Sequence, residues 1–309
     1  MAGMIRTLVQ MRSEARLRAD MEYSTNVSDA TVDRWLNQGI AKLYDLLIKS
    51  RGEEYYLRSV DFSTVAGVAS YQLPPHFYKL LALDIVETDN YFACAPLNFQ
   101  TERNYGLGVD GLYNINDTYR YMLQGNYIKL YPTPTEVRTM RLFYLPAAPE
   151  LGVLDVLDLD FVHTSGSDII TVTGGVDNAT GTDLSSNNAA AMLWPGSTIQ
   201  YPTPWTVAPI VTHVEGLSVY VSEAASSSAT VTAKQVDNPA HWDGINGWEE
   251  FAVLDAAIKL VAREERDTSH LDAERAEQAQ RIAASSPLRD FGAARTVQDV
   301  NNAPGLRRR

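Results

Sequence analysis

Few residues in this 309-residue sequence have types and spacing suited to chemistry. Two acidic groups have the composition of a calcium site: Asp155, Asp158 and Asp160, and Asp177 with Asn178 and Asp183. Calcium is held by several oxygen ligands, but neither group has the spacing of an EF-hand loop. Glu53-Glu54 and Glu249-Glu250 have the side chains a glycoside hydrolase uses as its acid. Adjacent carboxylates near helix ends are more often solvated charge, and that is the expectation for both pairs. The histidines His76, His163, His213, His241 and His270 are far apart and form no His-Glu-x-x-His or other ligand pair. Neither a Gly-x-Ser-x-Gly elbow nor a P-loop is present. The single cysteine, Cys94, lies between Ala93 and Ala95, which points to an inert buried thiol rather than a nucleophile. It also excludes an internal disulfide framework. No cofactor, metal or catalytic residue is expected. Arg12 and Arg16 stand one helical turn apart with Arg18 close by. They are either a solvated helix face or a contact to phosphate or to an acidic neighbouring subunit.

Charge is distributed unevenly along the chain. Residues 151–243 hold ten acidic side chains against the single base Lys234, most of the net charge of −12. Residues 284–309 reverse this, with Arg289, Arg295, Arg307, Arg308 and Arg309 against Asp290 and Asp299. Such asymmetry suggests separately folded pieces facing different surroundings. An acidic body with few bases argues against sequence-specific nucleic-acid binding. No apolar run approaches the ~18 residues of a membrane span. No apolar stretch follows the N-terminal arginines, so no signal peptide is expected and synthesis is assigned to the cytoplasm.

The elements that must position these residues fall into two kinds. Both ends read as helix, about 4–50 and 248–284, each with a narrow apolar stripe. The first helix, from Met4 to Ala19, places Ile5, Leu8, Met11 (or Val9), Ala15 and Ala19 on one face. Ser28 is an N-cap for a second helix with Asp29 and Asp33 at its positive end. Trp35, Leu36, Ile40, Leu43 and Leu47 form its stripe, and Gly39 lies on it, where another helix could approach closely. Gly52 ends it. Phe251, Leu254, Ile258, Val261 and Ala262 line a third helix with Asp255 as a polar intruder. A fourth, capped by Thr268 or Ser269, carries Leu271, Ala276, Ala279, Ile282 and Ala283. The helical ends are expected to pack on each other, because isolated amphipathic helices gain too little from propensity alone.

Between them the pattern is alternation and turns. Strands are expected at 55–64, 68–73, 77–87 and 139–145, with a hairpin of 119–123 and 127–131 around Gln124-Gly125-Asn126. Residues 98–118, with Asn104, Gly106, Gly108 and Gly111, read as a long loop. Twelve of the sixteen tyrosines fall between Tyr55 and Tyr144, suiting half-buried strand faces. Pro146 to Pro149 reads as a hinge. Beyond it, short strands at 169–173, 197–200, 208–214, 217–222 and 229–234, with turns at Gly174-Gly175, Asn187-Asn188 and Glu215-Gly216, suggest a small sandwich or barrel. The fold class is α+β: a helical core from both ends, a tyrosine-rich β region and an inserted all-β domain. The expected divisions are 1–150 with 244–286, an acidic insert at 151–243, and a tail at 287–309.

Three stretches carry a family resemblance. The first is Arg16-x-Arg18-Ala-Asp20 followed by Asn37-Gln-Gly-Ile-Ala-Lys-Leu-Tyr-Asp-Leu-Leu47. The second is Tyr71-Gln-Leu-Pro-Pro-His-Phe-Tyr-Lys-Leu80, then Gln124 to Pro134 and Leu142 to Pro146. The third is Gly247-Trp-Glu-Glu-Phe-Ala-Val-Leu-Asp-Ala-Ala257, then Glu264 to Ser269 and Arg289-Asp290. In this order they resemble the head-to-tail adaptor proteins of tailed bacteriophages, the tail accessory type of short-tailed phages in particular. The resemblance covers about 1–150 and 244–300.

It implies a virion structural protein at the head–tail junction. Such a protein forms a twelve-subunit ring with itself, binds the portal protein above and a tail nozzle or tail tube protein below, and passes the genomic DNA through its channel at ejection. It also implies a C-terminal segment that orders on the portal, with Phe291, Val297, Val300 and Leu306 as apolar anchors and Arg289, Arg295, Arg307, Arg308 and Arg309 as ionic contacts. The acidic insert is expected to face outward. The competing expectations are a β-rich tail or receptor-binding component and a cell-wall hydrolase.

Overall fold

The computed structural model describes residues 6–24, 26–87, 90–98, 119–201, 204–205, 207–239, 242 and 248–285. Helix α1 (Leu8–Arg18) opens with a capping box in which the Thr7 hydroxyl accepts from the Gln10 amide and the Gln10 side chain accepts from the Thr7 amide. Its buried face is Leu8, Met11 and Ala15, continued by Ala19, while Val9 points outward. Ile5 lies outside the described residues. Helix α2 (Asp29–Arg51) is capped by the Ser28 side chain and stops at Gly52. Leu36, Ile40, Leu43 and Leu47 are fully buried, and Trp35 packs half-buried against them.

The third helix differs from the stripe expected of it. In α4 (Glu250–Arg263) ten residues are buried, including Phe251, Leu254 and Asp255. It is the central rod of the bundle, touching α1, α2 and α5 (Ser269–Ser285). A helix enclosed on several sides has no broad polar face to keep. Ile258 and Ala262 are its more exposed positions. Helix α5 does keep a narrow stripe, with Leu271 and Ile282 buried. The α2–α4 crossing rests on Gly39, where an added Cβ would sit 2.9 Å from the Ala252 Cα and 3.1 Å from its carbonyl oxygen. Only a residue without a Cβ lets the two backbones meet this closely.

A short 3-10 turn (Glu53–Tyr56) leads from α2 into two four-stranded sheets sharing one core. One has the order β1-β8-β3-β4, from Arg58–Ser63, Thr139–Pro146, Phe77–Glu87 and Asn90–Ala93. The other has the order β2-β7-β6-β5, from Ser70–Gln72, Tyr127–Tyr131, Arg120–Gln124 and Ala95–Pro96. The hairpin around Gly125 has the expected register, with Gln124 opposite Tyr127. Tyrosine serves this region in two ways. Tyr144 is fully buried, whereas Tyr78, Tyr91 and Tyr127 are about half exposed. Cys94 is buried in the shared core, and burial pushes its thiol up to about 12. The Pro146 segment is tied down: its carbonyl accepts from the Tyr44 hydroxyl at 2.6 Å, and the Ala147 amide donates to the His76 carbonyl at 2.6 Å.

The inserted all-β region is barrel-like. Strands β9 (Leu157–His163), β10 (Ile169–Asp177), β12 (Thr198–Ile199), β13 (Val211–Glu215), β14 (Ser218–Val221) and β15 (Ala229–Asp237) pair in the order β12-β15-β9-β10-β14-β13. A bridge between Thr198 and Ile210 brings the two edges together. Strand β11 (Thr182–Ser185) hangs on β10. One strand was not foreseen and two readings give way here. Asp158 and Asp160 are the outward positions of β9, alternating with buried Leu157, Leu159, Phe161 and His163. Gly174 and Gly175 lie inside β10 beside a bulge rather than in a turn. A Cβ on Gly175 would meet the Asp158 carbonyl at 2.6 Å. Asn187 and Asn188 open a short helix, α3 (Ser186–Met192), capped by Ser185. The acids also have local work: Asp160 accepts from the Ala233 amide, Asp155 from Asn178, and Asp177 from Ala179 and Thr180. Among the described residues no three His, Cys, Asp or Glu side chains converge as a metal site.

Polar ties lock the bundle. Asp255, 1% exposed, is paired with Lys42 at 2.7 Å, Lys259 at 2.9 Å and Arg275 at 2.8 Å, joining α2, α4 and α5. Burial alone would raise its carboxyl; hydrogen bonds from Lys42 and Lys259 overcome this and hold it below its ordinary value. Glu249 and Glu250 are also buried, against the expectation of solvated charge. Glu250 pairs with Arg6 and Arg18, bringing the first helix onto the start of α4. Among the described residues neither carboxylate oxygen of Glu249 has a hydrogen-bond partner, and burial raises its carboxyl above the ordinary range. Glu53 pairs instead with Lys79 at the surface.

Three outcomes are expected. Gly39→Ala should lower stability by about 1–3 kcal/mol despite alanine's better helix propensity, seen as a lower urea midpoint; an unchanged midpoint would refute the close crossing. Asp255 has a depressed carboxyl, so its stabilisation is present at neutral pH and lost as pH falls through the folded value. Urea midpoints measured down the acid limb should fall less steeply in Asp255→Asn than in the parent. Glu249 has the opposite sign: its elevated carboxyl favours folding at low pH, and that contribution disappears as pH rises through the elevated value. Glu249→Gln should therefore gain on the parent as pH increases, and a pH-independent difference would sink the assignment.

Candidate assembly surfaces

The three N-terminal arginines are used within the chain. Arg12 grips Asp33 with Nε at 2.8 Å and Nη2 at 2.7 Å, and reaches Asp29 with Nη1 at 2.8 Å. Arg16 donates to the Val27 carbonyl at 2.6 Å, the Ser24 carbonyl at 3.0 Å and Asp29 at 2.8 Å. Asp29 is held below the ordinary carboxyl value, first by its bond from Arg16. Planar guanidinium forks suit this work, since two parallel donors fix an angle as well as a distance. Here they set α1 against the start of α2. Arg18 pairs with Glu250 and donates to Glu274 at 2.9 Å, so it ties α1 to α4 and α5. Any outward contact from these three must compete with these bonds. The tail residues Arg289, Phe291, Arg295, Val297, Val300, Leu306, Arg307, Arg308 and Arg309 lie outside the described residues.

A surface not anticipated from sequence is a cleft of about 760 Å³ where the 3-10 turn and β1, the barrel and the helical bundle meet. Tyr55, Leu57 and Arg58 form one side, Ile210 to Val214 another, and Trp194, Pro195, Pro239 and Trp242 enclose it. Tyr55, Leu57 and Ile210 are each more than two-fifths exposed. Arg58 lies over the Trp194 ring at 4.4 Å and donates Nη1 to the Ala191 carbonyl at 2.6 Å. Among the described residues no carboxylate reaches it, and burial pulls its pKa below the ordinary arginine value. Among the described residues the Trp242 indole N–H, closed to solvent, has no acceptor. Behind Tyr55, Arg51 is stacked between the Tyr55 and Trp248 rings at 3.9 and 4.4 Å, with Nε and Nη1 buried and without a partner among the described residues. The cleft thus holds an arginine that no described carboxylate answers. Its only sequence signals were the Trp194-Pro195 pair and the Pro239 and Trp242 neighbourhood, which no periodicity connects to Arg58.

Gly106, Gly108 and Gly111 have the spacing of a dinucleotide-binding fingerprint, which needs a strand before it and a helix after it. The segment lies outside the described residues. No described helix is long and apolar enough to cross a membrane.

No curated protein is significantly similar to this chain. A protein-family model described as SU10 adaptor protein matches residues 6–164, a little over half of the chain. The match takes in α1, α2 and both four-stranded sheets and ends just past β9, the first strand of the barrel. It thus begins with the Arg-rich helix that Glu250 anchors and includes Gly39, on which the helical crossing turns. The chain belongs to the SU10 adaptor protein family, structural adaptors of bacteriophages that are built into the virion.

Proposed function

We propose that this protein forms a homo-oligomeric ring at the head–tail junction of a short-tailed phage, between the portal protein and a tail nozzle or tail tube protein. Membership of the adaptor family carries this reading. Supporting it is a helical bundle closed from both ends of the chain. In this reading residues 1–150 and 244–286 are the adaptor core, residues 151–243 an outward-facing acidic module, and residues 287–309 the segment that orders on the portal. The arginines and apolar residues of that segment make the contact, a folding-on-binding mode suited to a short basic aperiodic stretch. DNA passes the ring without sequence-specific contact; an acidic chain has little to offer a phosphate backbone.

The test is to mix the purified protein with its portal and image the mixture by electron microscopy. A twelve-fold ring that appears only with portal is expected, whereas a stable free trimer would overturn the reading in favour of a receptor-binding component. A version ending at Ser286 should lose portal binding while keeping its melting temperature; unchanged binding would remove the tail's role.

A further inference from the structure

The cleft carries an inference independent of the ring and of the portal. A buried charge short of partners is costly, more so than a neutral donor at roughly 1–3 kcal/mol. One such charge lines the opening. Arg58 has a single carbonyl partner at 2.6 Å and no carboxylate among the described residues. Behind Tyr55, outside the lining of the cleft, Arg51 adds a second positive charge with no carboxylate partner among the described residues. The walls around Arg58 are apolar: Leu57, Pro195 and Ile210. Exposed apolar surface gathered around one cleft marks an interaction site, and the missing component is an acceptor with negative charge.

We propose that this cleft docks an extended peptide segment of a partner protein that presents one carboxylate among apolar residues. The carboxylate pairs with Arg58, its flanking side chains cover Leu57 and Ile210, and Trp242 in the cleft wall reports its arrival. Charge chooses between an acidic peptide and a nucleic acid. One wall of the cleft is the barrel, whose sequence region holds ten acids and one base. That field repels a polyphosphate, which needs many cations along its length. A single carboxylate surrounded by apolar groups asks for one guanidinium and a greasy wall, which is what the cleft supplies.

The probe is an acetylated, amidated Leu-Asp-Leu tripeptide, compared with the isosteric Leu-Asn-Leu, titrated into the full-length protein while the indole N–H resonances of the five tryptophans are followed by NMR. Trp242→Phe assigns the key resonance. The Asp peptide should shift the Trp242 signal and leave Trp35 unmoved, and the Asn peptide should bind at least about tenfold more weakly, equivalent to ~1.4 kcal/mol. Arg58→Gln should erase the difference between the two peptides, and Arg58→Lys should retain part of it, with circular dichroism confirming the fold of each. Should Arg58→Gln not fold, the Asp-versus-Asn comparison on the parent protein decides alone. Equal affinities, no shift of Trp242 up to millimolar peptide, or a Trp242 shift produced by a duplex oligonucleotide instead would each overturn the proposal.

Discussion

The contact on which the molecule depends is the one between Gly39 of α2 and Ala252 of α4. It joins residues more than two hundred positions apart, and everything between them must start and finish at that crossing. A glycine inside a helix costs roughly 1 kcal/mol relative to alanine. Here that cost is offset by the closeness it permits: with the backbones nearly touching, Leu36, Ile40 and Leu43 on one side and Phe251, Leu254 and Ala256 on the other enter a single buried cluster. The buried charges follow from the same closeness. Lys42 lies one turn past Gly39 and meets Asp255 one turn past Ala252, so the ion pair fixes the register of the crossing that the glycine allows. Buried ion pairs contribute little net stability but discriminate strongly against misplacement.

Helix α3 does for the three cores what Gly39 does for the helices. Ala189, Ala190 and Met192 belong to the barrel core, Ala191 to the core of the two four-stranded sheets, and Trp194 just beyond to the helical bundle. Two bonds hold it against β1: Asn187 donates to the Asp61 carbonyl at 2.7 Å and Arg58 to the Ala191 carbonyl at 2.6 Å. The alanines Ala189, Ala190 and Ala191 let this helix enter closely packed surfaces, since a methyl group leaves room for the neighbouring side chains. The barrel is thus wedged onto the rest of the chain through packed side chains, in addition to its two covalent connections.

What sequence made legible, and what it hid, follows from the range of each signal. Period 3.6 in Leu36, Ile40, Leu43 and Leu47 and period 2 in the Tyr127 to Tyr131 hairpin are local, and they placed α2 and the hairpin closely. The Gly39 approach was also readable, because a glycine on an apolar stripe has few other uses. Three features escaped the sequence reading. Strand β9 was not expected, although the alternation of Asp158 and Asp160 with Leu157, Leu159 and Phe161 is the mark of a strand. Asn187-Asn188 looked like a turn because a seven-residue helix is too short to show a period. Glu249-Glu250 looked solvated because nothing local reveals that Arg6 and Arg18, from the far end of the chain, arrive to meet Glu250. The cleft was illegible for the same reason. Its walls come from five separated segments, and no spacing rule joins Arg58 to Trp242.

The electrostatic layout separates into two scales. Over the whole chain the excess is negative and concentrated in the region that forms the barrel, and a field of one sign discourages polyanions and non-specific association. Locally, the cleft beside that barrel holds Arg58, with Arg51 behind it, neither answered by a carboxylate among the described residues. The long-range field decides which classes of molecule approach at all, since it acts over about a Debye length, ~8–10 Å at ordinary salt. The short-range donors decide what stays, because hydrogen bonds made out of water are stronger than those made in it. In the proposed role these two filters disagree in sign: the outer one turns nucleic acid away, and the inner one would accept a partner that carries its negative charge in a single, otherwise apolar, segment.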